Sequence, residues 1–594
     1  MGTARKTVFF VVVCLLLLLL LAGAALAAKP TRVLIITFDQ MRPEYAEQFK
    51  MTNILELQKT GVHFNKAYVG QMASETVVSH ATIVSGLFPK HVGYADEVTR
   101  LQQDILNPAR TAVLYPAGSI VTTGDLAYDQ FLQLAEQLGY PKLGDYMHQA
   151  FPGSVVGNFG QKGYQVFTTA ASSSDYYARM GGVTNVSLLP DPSVLPWSIK
   201  VVDPVTGAVS WVGKYRGPSG AFNWLGSTLT NDRFKISSGN ASDTYGTDVT
   251  PPAYLYPEDG RYAPGPWAPN PATGELGHLG GDAWVADAGM RFMAERPNWS
   301  AVHLNFSGID KIGHMWGGGP VDTVAWNPAN LLTEVHMAFQ AKNADDQLGR
   351  IMAELDRLGQ LDETLIVLLA DHGSTYAQNA YYVDAAGGGN LSWYYDPNNK
   401  CVNTKYGRYG VDLNGVPVAP GTITNNDAKL AVLNDNSNLA YSYQSTAIEA
   451  WLINQSWELK VHTANVMKTM PGVAATYVRD GDHYVFIAKN KMTSAENSWW
   501  STHGQELVDT MAFAGGPDVI GLLKDRTGYG IYGDHGGAQE DVQRIPMVMW
   551  ADGIQPSTRG TAFRLVDVMP TVLRAMGIPQ MAPMDGTAYN LNIN

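Results

Sequence analysis

Cysteine is nearly absent: the 594 residues carry two, Cys14 and Cys401. Cys14 lies in an N-terminal apolar segment, so a chain trimmed of that segment keeps one thiol and forms no internal disulfide. Packing and bound metal must then hold the fold. No Pro/Ser linker, block of like charge or fixed-period repeat divides the chain, which favours one large domain with insertions over a string of modules. Basic charge is also in short supply, 41 Lys and Arg against 54 Asp and Glu. Without Arg5 and Lys6 the balance is 39 against 54, a net charge of −15. That surface offers a polyanion no electrostatic footprint, so nucleic acid is excluded as the main partner, while small phosphate esters drawn in by metal are not.

Only one long apolar run stands out, Val8 to Leu21. It follows Arg5 and Lys6 and precedes Ala25-Leu26-Ala27, the three parts of a secretory signal. A signal peptide over residues 1–27 is expected, with export to the periplasm or the exterior. Val8 to Ala28 is long enough to span a bilayer, so a retained segment would tether the protein to a membrane; the Ala-rich end favours cleavage.

Four short apolar runs read as buried parallel strands: Arg32 to Phe38, Ala301 to Phe306, Thr364 to Ala370 and Arg544 to Ala551. Helical periodicity fills Gly281 to Arg296 and Leu332 to Leu358. Alternating strands and helices predict an α/β fold, a mostly parallel central sheet with helices on both faces. The stretches from about 96 to 280 and from about 374 to 530 are rich in Gly, Asn, Pro, Tyr and Trp and read as two large insertions forming a cap on a single catalytic domain over residues 28–594. Their aromatic runs, Trp393-Tyr394-Tyr395 and Trp499-Trp500, suit either a pocket lining or packing within the insertion, the second being the commoner use.

In open α/β sheets ligands bind beyond the carboxyl ends of the strands. Asp39, Asp310 and Asp371 each follow one of these runs. A lone Asp there is usually a cap or turn former, but histidines accompany two of them. Asp310 and His314 are four apart, a spacing that brings both to one point on a helix. Asp371-His372-Gly373 supplies an adjacent pair, with a glycine that lets the backbone bend. A second Asp-His-Gly, Asp534-His535-Gly536, precedes the last strand and makes His535 a further ligand candidate; Asp482-His483 and His503-Gly504 lack that setting. Mixed carboxylate and imidazole ligands suit zinc, with manganese and iron still open. Thr76 opens a predicted helix after a Gly/Ser-containing turn. Threonine there is ordinarily an N-cap, yet the same position sets a hydroxyl beside free backbone N–H groups and the positive end of the dipole, a seat for a phosphoryl group.

Thr76 to Gly93, with Ser85-Gly86-Leu87-Phe88-Pro89 in its middle, resembles the nucleophile segment of the nucleotide pyrophosphatase/phosphodiesterase branch of the alkaline phosphatase superfamily. The strand ending at Asp39, Asp310-x-x-x-His314, Asp371-His372-Gly373, His535-Gly536, the closing Val566 to Thr571 and Asp585-Gly586 follow in the family's order, from about residue 32 to 586. The resemblance implies a bimetal site: Asp310, His314 and His535 around one zinc, and Asp39, Asp371 and His372 around the other beside Thr76. With ions about 4 Å apart, such a site suits in-line displacement at phosphorus. Thr76, held as alkoxide by a metal, would attack to give a phosphothreonine, which water releases.

Two departures bear on the substrate. Val77, Val78 and Ser79 replace the middle of the family's usual Thr-Phe-Pro-Asn-His. The phosphate-contacting asparagine expected some twenty residues after the nucleophile falls at Asp96 or Glu97, and a carboxylate donates a hydrogen bond only when protonated. Gly160-Gln161-Lys162 resembles the end of a basic element found in monoester-hydrolysing relatives, with only Lys162 kept; as a phosphate contact Lys162 competes with the commoner state of a solvated surface lysine. A diester or pyrophosphate substrate is therefore expected ahead of a monoester, whose extra charge calls for more basic contacts. The Cys/Ser-x-Pro-x-Arg setting of sulfatases is missing, and one apolar span is fewer than phosphoethanolamine transferases usually carry. A secreted protein that keeps metals for stability alone is the non-catalytic alternative.

Overall fold

The computed structural model describes residues 29–123, 126, 128–170, 173–179, 198–202, 209–213, 281–310, 313, 329–376, 379–380, 438–470, 472–528 and 533–593. The expected leader, His314 and the Trp393-Tyr394-Tyr395 run lie outside the described residues. No helix among the described residues is long and apolar enough to cross a membrane.

The core is an eight-stranded sheet. Its strands in chain order are β1 Arg32–Phe38, β2 Val62–Tyr68, β3 Val155–Gly160, β4 Tyr176–Arg179, β5 Trp299–Phe306, β6 Thr364–Leu369, β7 Met547–Trp550 and β8 Ser557–Arg564. Across the sheet they run β8-β2-β7-β6-β1-β5-β3-β4. β1 is central and parallel to both neighbours, with Val33 opposite Ala301 on one side and Leu365 on the other. Its Val33, Leu34, Ile35 and Ile36 are wholly buried, which is why the run is apolar without alternation: helices cover both faces.

Strand β7 differs from expectation. It pairs antiparallel with both β6 and β2, so it alone opposes the direction of the sheet. A doubly buried strand is apolar whichever way it points, so composition could not give its direction. The connection gives it: the chain reaches β7 from His535, which sits at the carboxyl edge of the sheet, and must run back toward the opposite edge. Strands β3 and β4 come from within the stretch read as the first insertion. The second such stretch holds an antiparallel five-stranded sheet, ordered Leu439–Gln444, Ala447–Leu452, Val519–Leu523, Val473–Asp480 and His483–Lys489.

Five helices matter here: α1 Thr52–Thr60, α2 Thr76–Ser85, α3 Gly281–Glu295, α4 Ala329–Arg357 and α5 Val568–Met576. α4 packs on α1 and α3, while α2 packs on α5. The buried positions of α4, Ala341, Ala344, Leu348, Ile351 and Leu355, alternate three and four apart and make the apolar stripe that meets the sheet. Trp499 and Trp500, on the helix Ser494–Asp509, are buried in a cluster with Val77 and Tyr477. The commoner reading of that pair, packing, is the one observed.

Candidate active site

The three aspartates meet at the carboxyl edge of adjacent strands: Asp39 after β1, Asp310 after β5 and Asp371 after β6. All three are fully buried, as is His372, and His535 is 5 % exposed. Asp39 Oδ2 accepts from Ser307 Oγ at 3.1 Å and Asn305 Nδ2 at 3.3 Å. Asp371 Oδ1 accepts the backbone N–H groups of Gln40 at 3.1 Å and His372 at 2.9 Å, while its Oδ2 accepts no hydrogen bond from the described residues. Burial, then the neighbouring Asp39 charge, pushes the Asp371 carboxyl well above the usual range.

The two histidines stack with ring centroids 3.7 Å apart. His372 Nδ1 lies 3.1 Å from the Gly373 carbonyl, and its Nε2 is 3.6 Å from both Asp39 and Asp371. Burial, then His535, drives the His372 pKa well below the ordinary value. For His535 burial acts the same way but is outweighed by the Glu75 and Asp310 carboxylates, so its pKa stands well above the ordinary value.

Thr76 is not the cap of α2. Glu75 occupies that position with extended backbone, φ −121° and ψ 152°, and Thr76 is the first helical residue. The first hydrogen bond of α2 runs from Ser79 N–H to the Glu75 carbonyl, leaving the earlier N–H groups without a partner inside the helix. The Thr76 hydroxyl is thus spared capping and lies 3.4 Å from Asp39 Oδ1 and 3.3 Å from His372 Nε2. Three β-branched residues at its start, Thr76, Val77 and Val78, make α2 a weak helix by propensity. It is held by tertiary packing, since all ten residues are buried, and by His80 Nδ1, 2.8 Å from the Thr76 carbonyl.

Lys162 is no surface lysine. It follows β3, is 2 % exposed, and its ammonium lies 2.7 Å from Asp310 Oδ2, 2.9 Å from Asp39 Oδ2 and 3.0 Å from Thr76 Oγ1. Asp96 and Glu97 gather elsewhere, in a carboxylate cluster with Glu75 and Glu449. The Tyr443 hydroxyl donates to Glu75 Oε1 at 3.1 Å and lies 3.3 Å from Glu97 Oε2. Burial, then Glu449 and Glu75, raises the Asp96 carboxyl well above the usual range. Burial, then Glu75, pushes Glu97 up to about 8, so burial favours the protonated form of both carboxyls. Glu75, Tyr443 and Glu449 carried no signal in the sequence beyond the position of Glu75 directly before Thr76.

The decoys are structural: His483 is exposed at the start of a hairpin strand, and His503 packs on Trp499. The closing motif also has a structural task. Asp585 Oδ2 accepts the Phe88 N–H at 2.8 Å, fastening the segment that leaves α2.

Among the described residues, two groups of side chains could hold a metal ion, each with ligand atoms within 4.8 Å of one another: Asp310, His372 and His535, and Asp39, Asp371 and His372. The donor set fits divalent cations. Carboxylates crowd a buried volume, the Asp371 Oδ2 atom accepts no hydrogen bond from the described residues, and the Lys162 ammonium bridges Asp39 and Asp310 as a cation would. His372 serves both groups, and the place of His314 lies outside the described residues.

The model of the type I phosphodiesterase / nucleotide pyrophosphatase family matches residues 33–103 and 206–397. The chain is similar to proteins of the alkaline phosphatase superfamily. Alkaline phosphatase PhoK of Sphingomonas sp is 20 % identical over 574 residues, covering 93 % of this chain and 90 % of that protein. Among solved structures, wild-type alkaline phosphatase PafA shares the fold, with TM-score 0.51 and 13 % identity over 95 % of this chain and 99 % of that one. Human ectonucleotide pyrophosphatase/phosphodiesterase 5 superposes with TM-score 0.47 at 12 % identity, covering 94 % and 97 %. The matched family and these relatives are named as phosphodiesterases, pyrophosphatases and phosphatases, enzymes that hydrolyse phosphoric esters.

Proposed function

We propose that this protein is a phosphoric ester hydrolase that cleaves phosphodiester or pyrophosphate-type bonds through a phosphothreonine on Thr76. The observation that carries the reading is the Thr76 hydroxyl, free of capping, 3.3 Å from His372, 3.4 Å from Asp39 and 3.0 Å from the Lys162 ammonium. Asp39, Asp371 and His372 would hold one zinc ion and Asp310, His535 and His314 the other. When bound, two such cations favour the alkoxide form of a hydroxyl and offset charge on attacking and leaving oxygens.

The protein's own groups supply the rest. The Thr76 oxygen attacks phosphorus, the alcohol or phosphate leaves from the far side, and water then cleaves the Thr76–phosphate ester. The free N–H groups of the α2 N-terminus and the Lys162 ammonium stabilise the phosphoryl oxygens. Asn305 and Ser307 hold Asp39 in place through their hydrogen bonds. The signal-like N-terminus supports export, and the substrate would be a small ester, not nucleic acid.

Monoester hydrolysis is the second reading, favoured by the burial of Lys162 and by two alkaline phosphatases among the relatives. Against it, the Lys162 ammonium is already shared by Asp39 and Asp310. Comparing kcat/KM for p-nitrophenyl phosphate and bis(p-nitrophenyl) phosphate decides between them; a higher value for the monoester rejects the diester reading. Turnover of Thr76→Ala is the second measurement. Activity near wild type in that variant, or none in the zinc-loaded wild type, would leave the non-catalytic alternative standing.

A further inference from the structure

We infer that Glu75 is a positioning residue for the metal centre, holding the His535 ring so that its Nε2 faces Asp310. The inference rests on the two-cation reading above. An imidazole that offers one nitrogen to a cation carries its proton on the other, and that N–H needs an acceptor to fix ring and tautomer. His535 Nδ1 lies 2.6 Å from Glu75 Oε2, while Nε2 is 3.4 Å from Asp310 Oδ1. His372 follows the same pattern with a different acceptor, its Nδ1 facing the Gly373 carbonyl. Both stacked rings thus have an acceptor oxygen beside Nδ1, with Nε2 toward the carboxylates.

Other features of Glu75 fit this task. It is the N-cap of α2, yet its side chain makes no capping hydrogen bond, although that position ordinarily uses its side chain on the helix N–H groups. Its second oxygen accepts from the Tyr443 hydroxyl, so both ends of the carboxylate are committed. Room for it depends on Gly536, φ +95°, where a Cβ would run into Glu75 Oε1 and Ser445 Oγ. The glycine after His535 therefore clears the space that the His535 partner occupies. Because Glu75 directly precedes Thr76, one dipeptide orients a ligand of one half of the site and delivers the nucleophile to the other.

The test is zinc binding by the full chain, measured by competition with a chromogenic chelator, with cobalt substitution to report each site's absorption. Wild type should hold two ions. In Glu75→Ala one ion should bind about 10–100-fold more weakly, with a changed cobalt spectrum at that site and the other ion unaffected. Glu75→Gln, whose amide oxygen still accepts from Nδ1–H, should recover part of the loss. If Glu75→Ala does not fold, Tyr443→Phe is read in its place, with a smaller weakening at the same site. Two ions bound as in wild type, or equal weakening of both, overturns the inference alone. A wild type holding fewer than two ions overturns the two-cation reading and this inference with it.

Discussion

Lys162 gives the sharpest test of how charge is arranged at this site. Its ammonium lies 2.7 Å from Asp310 and 2.9 Å from Asp39, with all three side chains essentially buried. At an effective dielectric of ~20, each contact has a gross attraction of about 6 kcal/mol, most of which desolvation cancels. Removing one partner of such a pair is the costly change, about 3–5 kcal/mol, because the remaining charges stay buried. Lys162→Met should therefore lower the stability of the chelator-treated protein by about 3–5 kcal/mol in denaturant titrations. With saturating zinc both proteins gain stability by mass action, and the difference between them should shrink to roughly 1 kcal/mol, the size of an ordinary packing change, since metal then balances Asp39 and Asp310. An equal loss with and without zinc, or a loss below about 1 kcal/mol without it, refutes the view that Lys162 does a cation's work in this site.

Three further outcomes are expected. Gly536→Ala forces a left-handed backbone on alanine and pushes a methyl into Glu75, so zinc retention after dialysis should fall, while a variant that keeps both ions shows that Glu75 has room to move. The Glu449 carboxyl is raised from 4.5 to about 8, first by burial; an acid that holds its proton more tightly when folded makes stability fall as pH rises from about 4.5 to about 8. Glu449→Gln should flatten that slope in denaturation at pH 5 and pH 8, and an unchanged slope contradicts a proton-bearing cluster. Leu34→Ala empties the middle of β1, where Leu34 is wholly buried. It should cost about 2–5 kcal/mol by chemical denaturation, and a loss under 1 kcal/mol would mean the core collapses around the gap.

By itself the sequence determined β1, β5 and β6, the helices Gly281–Glu295 and Ala329–Arg357, and the aspartates that follow the strands. Each is written locally: burial on both faces demands an unbroken apolar run, helix packing a stripe at three-and-four spacing, and ligand placement a carboxylate just past a strand. The Asp-His-Gly segments were legible for the same reason, since adjacent residues need no fold to bring them together.

Only the tertiary structure decided the direction of β7, the burial of Lys162 and the pairing of Glu75 with His535. Direction depends on where the preceding connection leaves the sheet, not on the composition of the strand. Lys162 looks like any lysine until β3 joins the sheet beside β5 and carries it to Asp39 and Asp310. Glu75 meets His535 because α2 starts at the same carboxyl edge at which the chain returns hundreds of residues later. The distances that fix the chemistry come from chain topology, and local pattern holds no record of them.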